Sequence, residues 1–280
     1  MSSLGYPLMA IFGLLAGSLA TMGVYRLADP ELSFWSPPPR CPRCHATLGW
    51  RQLVPVASWV VARRRCRACH DVIDWAYPVV ELVTSALFVL AAWRRPDAVD
   101  LIPLLLLVWV LVVASVTDLY VYLIPNRLLF PALAASVVVM VPLALIDDPA
   151  RLTQAAVGLV LYFSLLFLPH LVHPAGMGMG DVKLALLLGL NLGYAAGDML
   201  GTVRMVVLAM LIGSLLGVLG GAILALARRA GWNLLPDPLE AVPGDGDGSE
   251  RAAASSFPFG PPLAVGTLWV LLFPASVGLV

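Results

Sequence analysis

LIPLLLLVWVLVVASVTD, residues 101–118, decides the fold. Every residue is uncharged until Asp118 closes the run, and about 20 apolar residues cross a bilayer core as a helix. Comparable runs recur near 6–26, 76–93, 124–146, 152–171, 181–199, 203–227 and 259–279. In hydrocarbon a segment must satisfy its own backbone groups, so each run is expected to be helical. Together they predict an all-α, polytopic membrane bundle of about eight crossings. Composition agrees: 60% of the 280 residues are hydrophobic and 12% are charged, against roughly 25% charged in a soluble domain. An ordinary soluble protein is therefore excluded. Residues 8–25 have no basic segment before them and no small-x-small site after them. They are read as a retained first membrane helix, not a signal peptide.

Two polar segments interrupt this pattern. Residues 28–75 are rich in Pro, Arg, Trp and Cys, and 228–257 contain PGDGDGSERAAASS, a composition expected of a flexible linker. The organisation expected is a first membrane helix over 1–27, an insert over 28–75 and a membrane core over 76–280. The basic residues set its orientation. With the insert in the cytoplasm, Arg26, Arg40, Arg43, Arg51, Arg63, Arg64, Arg65, Arg67, Arg127, Lys183, Arg228, Arg229 and Arg251 lie on or near that side. Arg94, Arg95, Arg151 and Arg204 lie outside, a positive-inside bias that turns both termini outward.

The insert holds all four cysteines, as Cys41-x-x-Cys44 and Cys66-x-x-Cys69 with 21 residues between the pairs. Four thiolates suit the tetrahedral preference of Zn(2+), and a fully Cys-ligated ion has no position open to substrate. A structural zinc is expected, since a cytoplasmic setting disfavours disulfides. It would stabilise an insert too small for a core of its own. His45 and His70 are read as neighbours of the site, not ligands. Trp50, Trp59 and Trp75 either anchor the insert among lipid headgroups or pack around the metal. Arg63, Arg64 and Arg65 are expected to meet anionic lipid or a helix C-terminus.

Three acids fall at membrane depth: Glu81, Asp118 and Asp181. A carboxylate there needs protein, water or a partner around it. On the topology above, Asp118 and Asp181 both lie near the cytoplasmic interface. Pro125 and Asn126 break the passage after Asp118 into a short or re-entrant turn. Asp181 follows GMGMG, and the decapeptide GMGMGDVKLA over 176–185 carries the chain's single lysine, Lys183. Asp181 reads locally as an N-cap. The glycines exceed what a cap requires, and imply a tight loop or close approach of another backbone. Two carboxylates in a partly dry site share a proton, so that one activates water while the other donates. Peptide hydrolysis needs that division of labour. Glu81 is expected to be orienting or structural, with Arg26 or the aspartate region as partner. His170 and His173 lack an evident third metal ligand and read as an interfacial cap.

The ordered combination resembles the bacterial type IV prepilin peptidases. It comprises GSLATMGVYRL at 17–27, the tetracysteine insert, WAYPVVELVT at 75–84, Asp118 with the following IPN, GMGDVKLA at 178–185 and FPFGPPLAVG at 257–266. Thr21 stands where the family usually has Asn, and Gly23 where it has a larger apolar residue. The resemblance implies Asp118 and Asp181 as catalytic, with Gly178, Gly180, Lys183 and Glu81 supporting them, and places FPFGP near the active side of the bundle. It implies cleavage of a prepilin or pseudopilin leader, at a Gly followed by a hydrophobic segment, on the cytoplasmic face of the bacterial inner membrane. It further implies N-methylation of the new N-terminus from S-adenosyl-L-methionine, and pilus or type II secretion machinery as company. Membrane lipid is an expected partner and nucleic acid is not. The rival expectation is a noncatalytic, zinc-stabilised scaffold of such an apparatus. A transporter fits less well, because the acids gather at one interface and no internal repeat is evident.

Overall fold

The computed structural model describes residues 4–28, 38–41, 43–173, 178–232 and 258–274. The chain forms two compact units, Met1–Pro96 and Asp97–Val280. Helices occupy all eight expected stretches. Six of them are long and apolar enough to cross a membrane, as befits an all-α polytopic membrane protein.

In the first unit, α1 (Gly5–Ala28) packs along α3 (Ala76–Arg94). Small residues set their separation. A Cβ on Gly13 would stand 2.6 Å from the Ser85 Cα, and one on Gly17 would stand 2.6 Å from the Glu81 Cα. Ser85 Oγ then reaches the Ala10 carbonyl at 2.9 Å. Between these helices the insert carries a 3-10 turn at Trp50–Gln52 and the short α2 (Ala57–Val61).

The second unit comprises α4 (Ala98–Val121), α5 (Asn126–Ile146), α6 (Ala150–Val172), α7 (Met179–Tyr194), α8 (Met199–Arg229) and α9 (Gly260–Leu272). At its centre α7 touches α4, α5, α6, α8 and α9. Its sequence is apolar on every side, and nearly every residue from Val182 to Tyr194 is buried, as expected of a helix with no solvent face. Its pairing with α6 depends on Gly158, Gly189 and Gly193, where any Cβ would collide with the facing backbone. Small residues at such seams let membrane helices approach closely.

The expected run 181–199 divides earlier than its hydropathy suggests. α7 stops at Tyr194, Gly197 takes a left-handed conformation at φ 77°, and Asp198 caps α8 by accepting the Gly201 N–H. α8 consequently starts at Met199 rather than 203 and runs 31 residues, about 46 Å at 1.5 Å per residue. The linker over 233–257 and residues 275–280 lie outside the described residues.

One end of this unit is tied by Arg151. Its guanidinium donates to Asp100 of α4 at 2.6 Å and pairs with Asp147 at 2.9 Å. It also lies over the Tyr194 ring, 5.4 Å from the centroid. Asp100 and Asp118 are eighteen residues apart along α4, about 27 Å, so this clamp sits far from the aspartate site.

Candidate functional site

Asp118 lies in the last turn of α4 and is buried, 6% exposed. The helix ends just beyond it: Tyr122 is left-handed at φ 54° and returns its N–H to the Asp118 carbonyl at 3.0 Å. A carboxylate at a helix C-terminus faces the negative end of the dipole. The N-terminus of α9 offsets this, since the Gly260 N–H donates to Asp118 Oδ2 at 2.9 Å. An orphan N–H from one helix end thus meets an acid at another helix end.

Asp181 is also buried, 8% exposed, in the first turn of α7. It is not the N-cap that its sequence suggests. Gly178 holds that position, in extended conformation and without a side-chain cap. Asp181 instead sits three residues in, with its N–H directed to the Gly178 carbonyl at 3.1 Å. The first-turn location still favours an anion.

Neither Gly178 nor Gly180 adopts positive φ, so the glycines serve space rather than a left-handed turn. A Cβ on Gly178 would stand 3.3 Å from Asp181 Oδ2, and one on Gly180 would stand 3.3 Å from the Ile124 Cβ. Gly176 lies outside the described residues.

Ile124, buried in the turn after α4, links the two acids' surroundings. Its Cβ faces Gly180, and its Cδ1 lies 3.2 Å from where a Gly260 Cβ would be. The charge of Asp118 also acts electrostatically on Asp181. Lys183 reaches across to α5, its Nζ donating to Asn126 Oδ1 at 3.0 Å. This contact joins the decapeptide to the IPN turn and is mainly solvent-facing.

Glu81 has a different setting within the first unit. Its Oε2 accepts the Val56 backbone N–H at 2.7 Å, while Ser18 Oγ donates to the nearby Leu53 carbonyl at 3.4 Å. Val56 is held at φ 57°, an uncommon conformation for a β-branched residue. Glu81 therefore fixes the path of the insert, in keeping with a structural role. Val56 was not identified from sequence, and Ser18 and Ile124 entered only within longer motifs, without a role of their own. Gly260 lay in a stretch noted only by resemblance, and only three-dimensional packing reveals its partner.

The four cysteines come together with no disulfide, their sulfurs all within 4.8 Å of one another. Cys41 Sγ and Cys69 Sγ are 3.9 Å apart; a tetrahedron with Zn–S bonds of about 2.3 Å has edges of about 3.8 Å. The donor set fits zinc. It arises from two similar turns, RCPRCHAT over 40–47 and RCRACHDV over 65–72. In each, the first Cys carbonyl receives the His N–H, Cys41 from His45 at 2.9 Å and Cys66 from His70 at 3.0 Å. Each turn is closed by a bridge, Arg40 with Thr47 and Arg65 with Val72. His45 and His70 are left-handed at φ 56° and 59°, a conformation in which His is enriched. The N–H groups of Cys69 and Ala68 point to Cys66 and hold its thiol down at about 6. Trp50 and Trp75 are exposed, whereas Arg64 stacks over Trp59 at 5.5 Å.

Comparison with known proteins covers both units. The model described as "Bacterial Peptidase A24 N-terminal domain" matches residues 11–95, and that of the "Type IV leader peptidase family" matches 105–222. A protein of Bacillus subtilis (strain 168) named "Prepilin leader peptidase/N-methyltransferase" is 30% identical, over 96% of this chain and 95% of that protein. Proteins of the same name from Myxococcus xanthus (strain DK1622) and Pseudomonas putida are each 30% identical. They cover 95% and 79% of this chain, and 90% and 82% of their own lengths. No solved structure matches.

Proposed function

From the premise that the chain belongs to the type IV leader peptidase family, we propose that it cleaves prepilin or pseudopilin leaders using Asp118 and Asp181. The observation that carries this reading is the pair of buried acids around Ile124, one receiving an N–H at Oδ2. In this proposal the other oxygen, Asp118 Oδ1, takes the reacting water. One carboxylate takes a proton from that water as its oxygen bonds to the scissile carbonyl carbon. The other, protonated, polarises the carbonyl oxygen and then donates to the departing amine as the C–N bond breaks. Burial makes these polar interactions stronger than they would be in water.

The proposed setting is the bacterial inner membrane. Eight crossings bring the insert and both acids to the cytoplasmic face, and residues 76–280 supply the peptidase core. There the leader is accessible and the substrate's hydrophobic segment remains in lipid. Gly178 and Gly180 keep side chains away from the Asp181 side of the site. A zinc held by Cys41, Cys44, Cys66 and Cys69 would cross-link the insert without entering the reaction.

The names of the relatives support a second, N-methylating step, for which S-adenosyl-L-methionine is the proposed donor of an electrophilic methyl group to the new N-terminal amine. No residue is assigned to that donor. The described residues contain no strand-turn-helix cradle of the dinucleotide-binding type.

Co-expression with a prepilin tests the proposal. Wild type is expected to shorten the substrate, whereas D118N and D181N at equal membrane abundance leave it intact. Processing by either variant at near the wild-type rate overturns the paired-acid mechanism. An uncleaved substrate with wild type, accompanied by normal pilus assembly, favours the scaffold instead. Mass spectrometry of the mature product is expected to show one added methyl on its N-terminal amine.

A further inference from the structure

Resting on Asp118 as a catalytic acid, we infer that Gly217, Phe259 and Gly260 form a positioning device: the Phe259 ring, seated over Gly217 of α8, holds the Gly260 N–H on Asp118. Each contact lies within the second unit. Gly217 is buried in α8, and a side chain there would overlap the Phe259 ring, with its Cδ2 only 2.8 Å from the added Cβ. Phe259 immediately precedes α9, and its carbonyl receives the Leu263 N–H at 3.3 Å. The ring therefore fixes the first turn of α9 to which Gly260 belongs.

One turn further on, the seam continues. A Cβ on Gly213 would stand 3.0 Å from the Leu263 Cα, and one on Gly266 would stand 2.6 Å from the Ala209 carbonyl oxygen. Such contacts leave little freedom for α9 to slide. At the other end, a Cβ on Gly260 would stand 2.9 Å from Asp118 Oδ2 and 3.2 Å from Ile124 Cδ1. The site thus requires a bare backbone donor. The arrangement fixes which oxygen of Asp118 faces the reacting water, and a displacement of about 1 Å in such a group can cost about 100-fold in rate.

The test uses the full-length enzyme reconstituted in lipid with a prepilin. G260A and G217A are each expected to lower kcat, measured per folded enzyme, by at least 10-fold with KM within 2-fold of wild type. The double variant G217A/F259L, in which the smaller side chain makes room for the added methyl, is expected to recover at least a third of wild-type kcat. A general packing defect would instead reduce the amount of folded enzyme while leaving kcat per folded enzyme near that of wild type. Full kcat in G260A and G217A, or no recovery in the double variant, overturns the inference. D118N is assayed alongside: its activity overturns the peptidase mechanism itself, whereas inactive D118N with fully active G260A overturns only the positioning device. If G217A fails to accumulate, G260A decides the matter.

Discussion

At the residue scale, the proposed chemistry rests on where backbone groups at helix ends point. Asp118 sits at an unfavourable helix end and receives Gly260, 142 residues later in the chain. Asp181 lies in a first turn, where the dipole favours it. The acids themselves were legible, because an isolated charge ending an apolar run is costly. The Gly260 contact was not, since no local pattern records a partner so distant in sequence. The N-cap expected at Asp181 failed for a related reason: Gly178 satisfies the entry geometry three residues earlier. Lys183 gains a definite partner in Asn126. A hydrogen bond facing solvent contributes about 1 kcal/mol or less to stability. K183M and N126A are each expected to lower cleavage by less than about 5-fold, and the double variant by no more than the stronger single. An additive loss in this mutant cycle would mean that the two side chains act separately.

At the element scale, the cysteine cluster is built from two copies of one turn, over 40–47 and 65–72. Spacing alone brought out the four cysteines that cluster, because the thiol set is complete and isolated in the sequence. The left-handed His45 and His70 and the strained Val56 were hidden, as local propensity disfavours positive φ in most side chains. Tertiary contacts hold these residues there: the bridges in the two turns, and Glu81 accepting the Val56 N–H. A metal-free insert has little apolar core to replace the ion. C44S is accordingly expected to lower bound zinc, measured by mass spectrometry of metals, from about one per chain to near zero. Proteolysis between residues 40 and 72 should accelerate in the same variant. Unchanged zinc content would remove these cysteines from the metal site.

At the scale of the whole molecule, length and hydropathy located the helices, while packing set their ends. α7, with 16 residues, is shorter than the usual span because five helices surround it and Gly197 turns the chain early. The end of the second unit remote from the acids is held by Arg151, an arrangement between an exposed pair and a buried one. R151M is expected to cost about 1–3 kcal/mol, seen as a Tm decrease of roughly 3–10 °C, with kcat within 3-fold of wild type because the clamp is remote. A large kcat loss at unchanged Tm would mean that the two ends are coupled. The central claim is that Asp118 and Asp181 together cleave the leader. Its most direct test is intact-mass analysis of a prepilin incubated with the purified, reconstituted enzyme. Wild type is expected to remove the leader mass, and D118N and D181N to do so at a rate at least 1,000-fold lower. Leader removal by either variant at near the wild-type rate would contradict that claim.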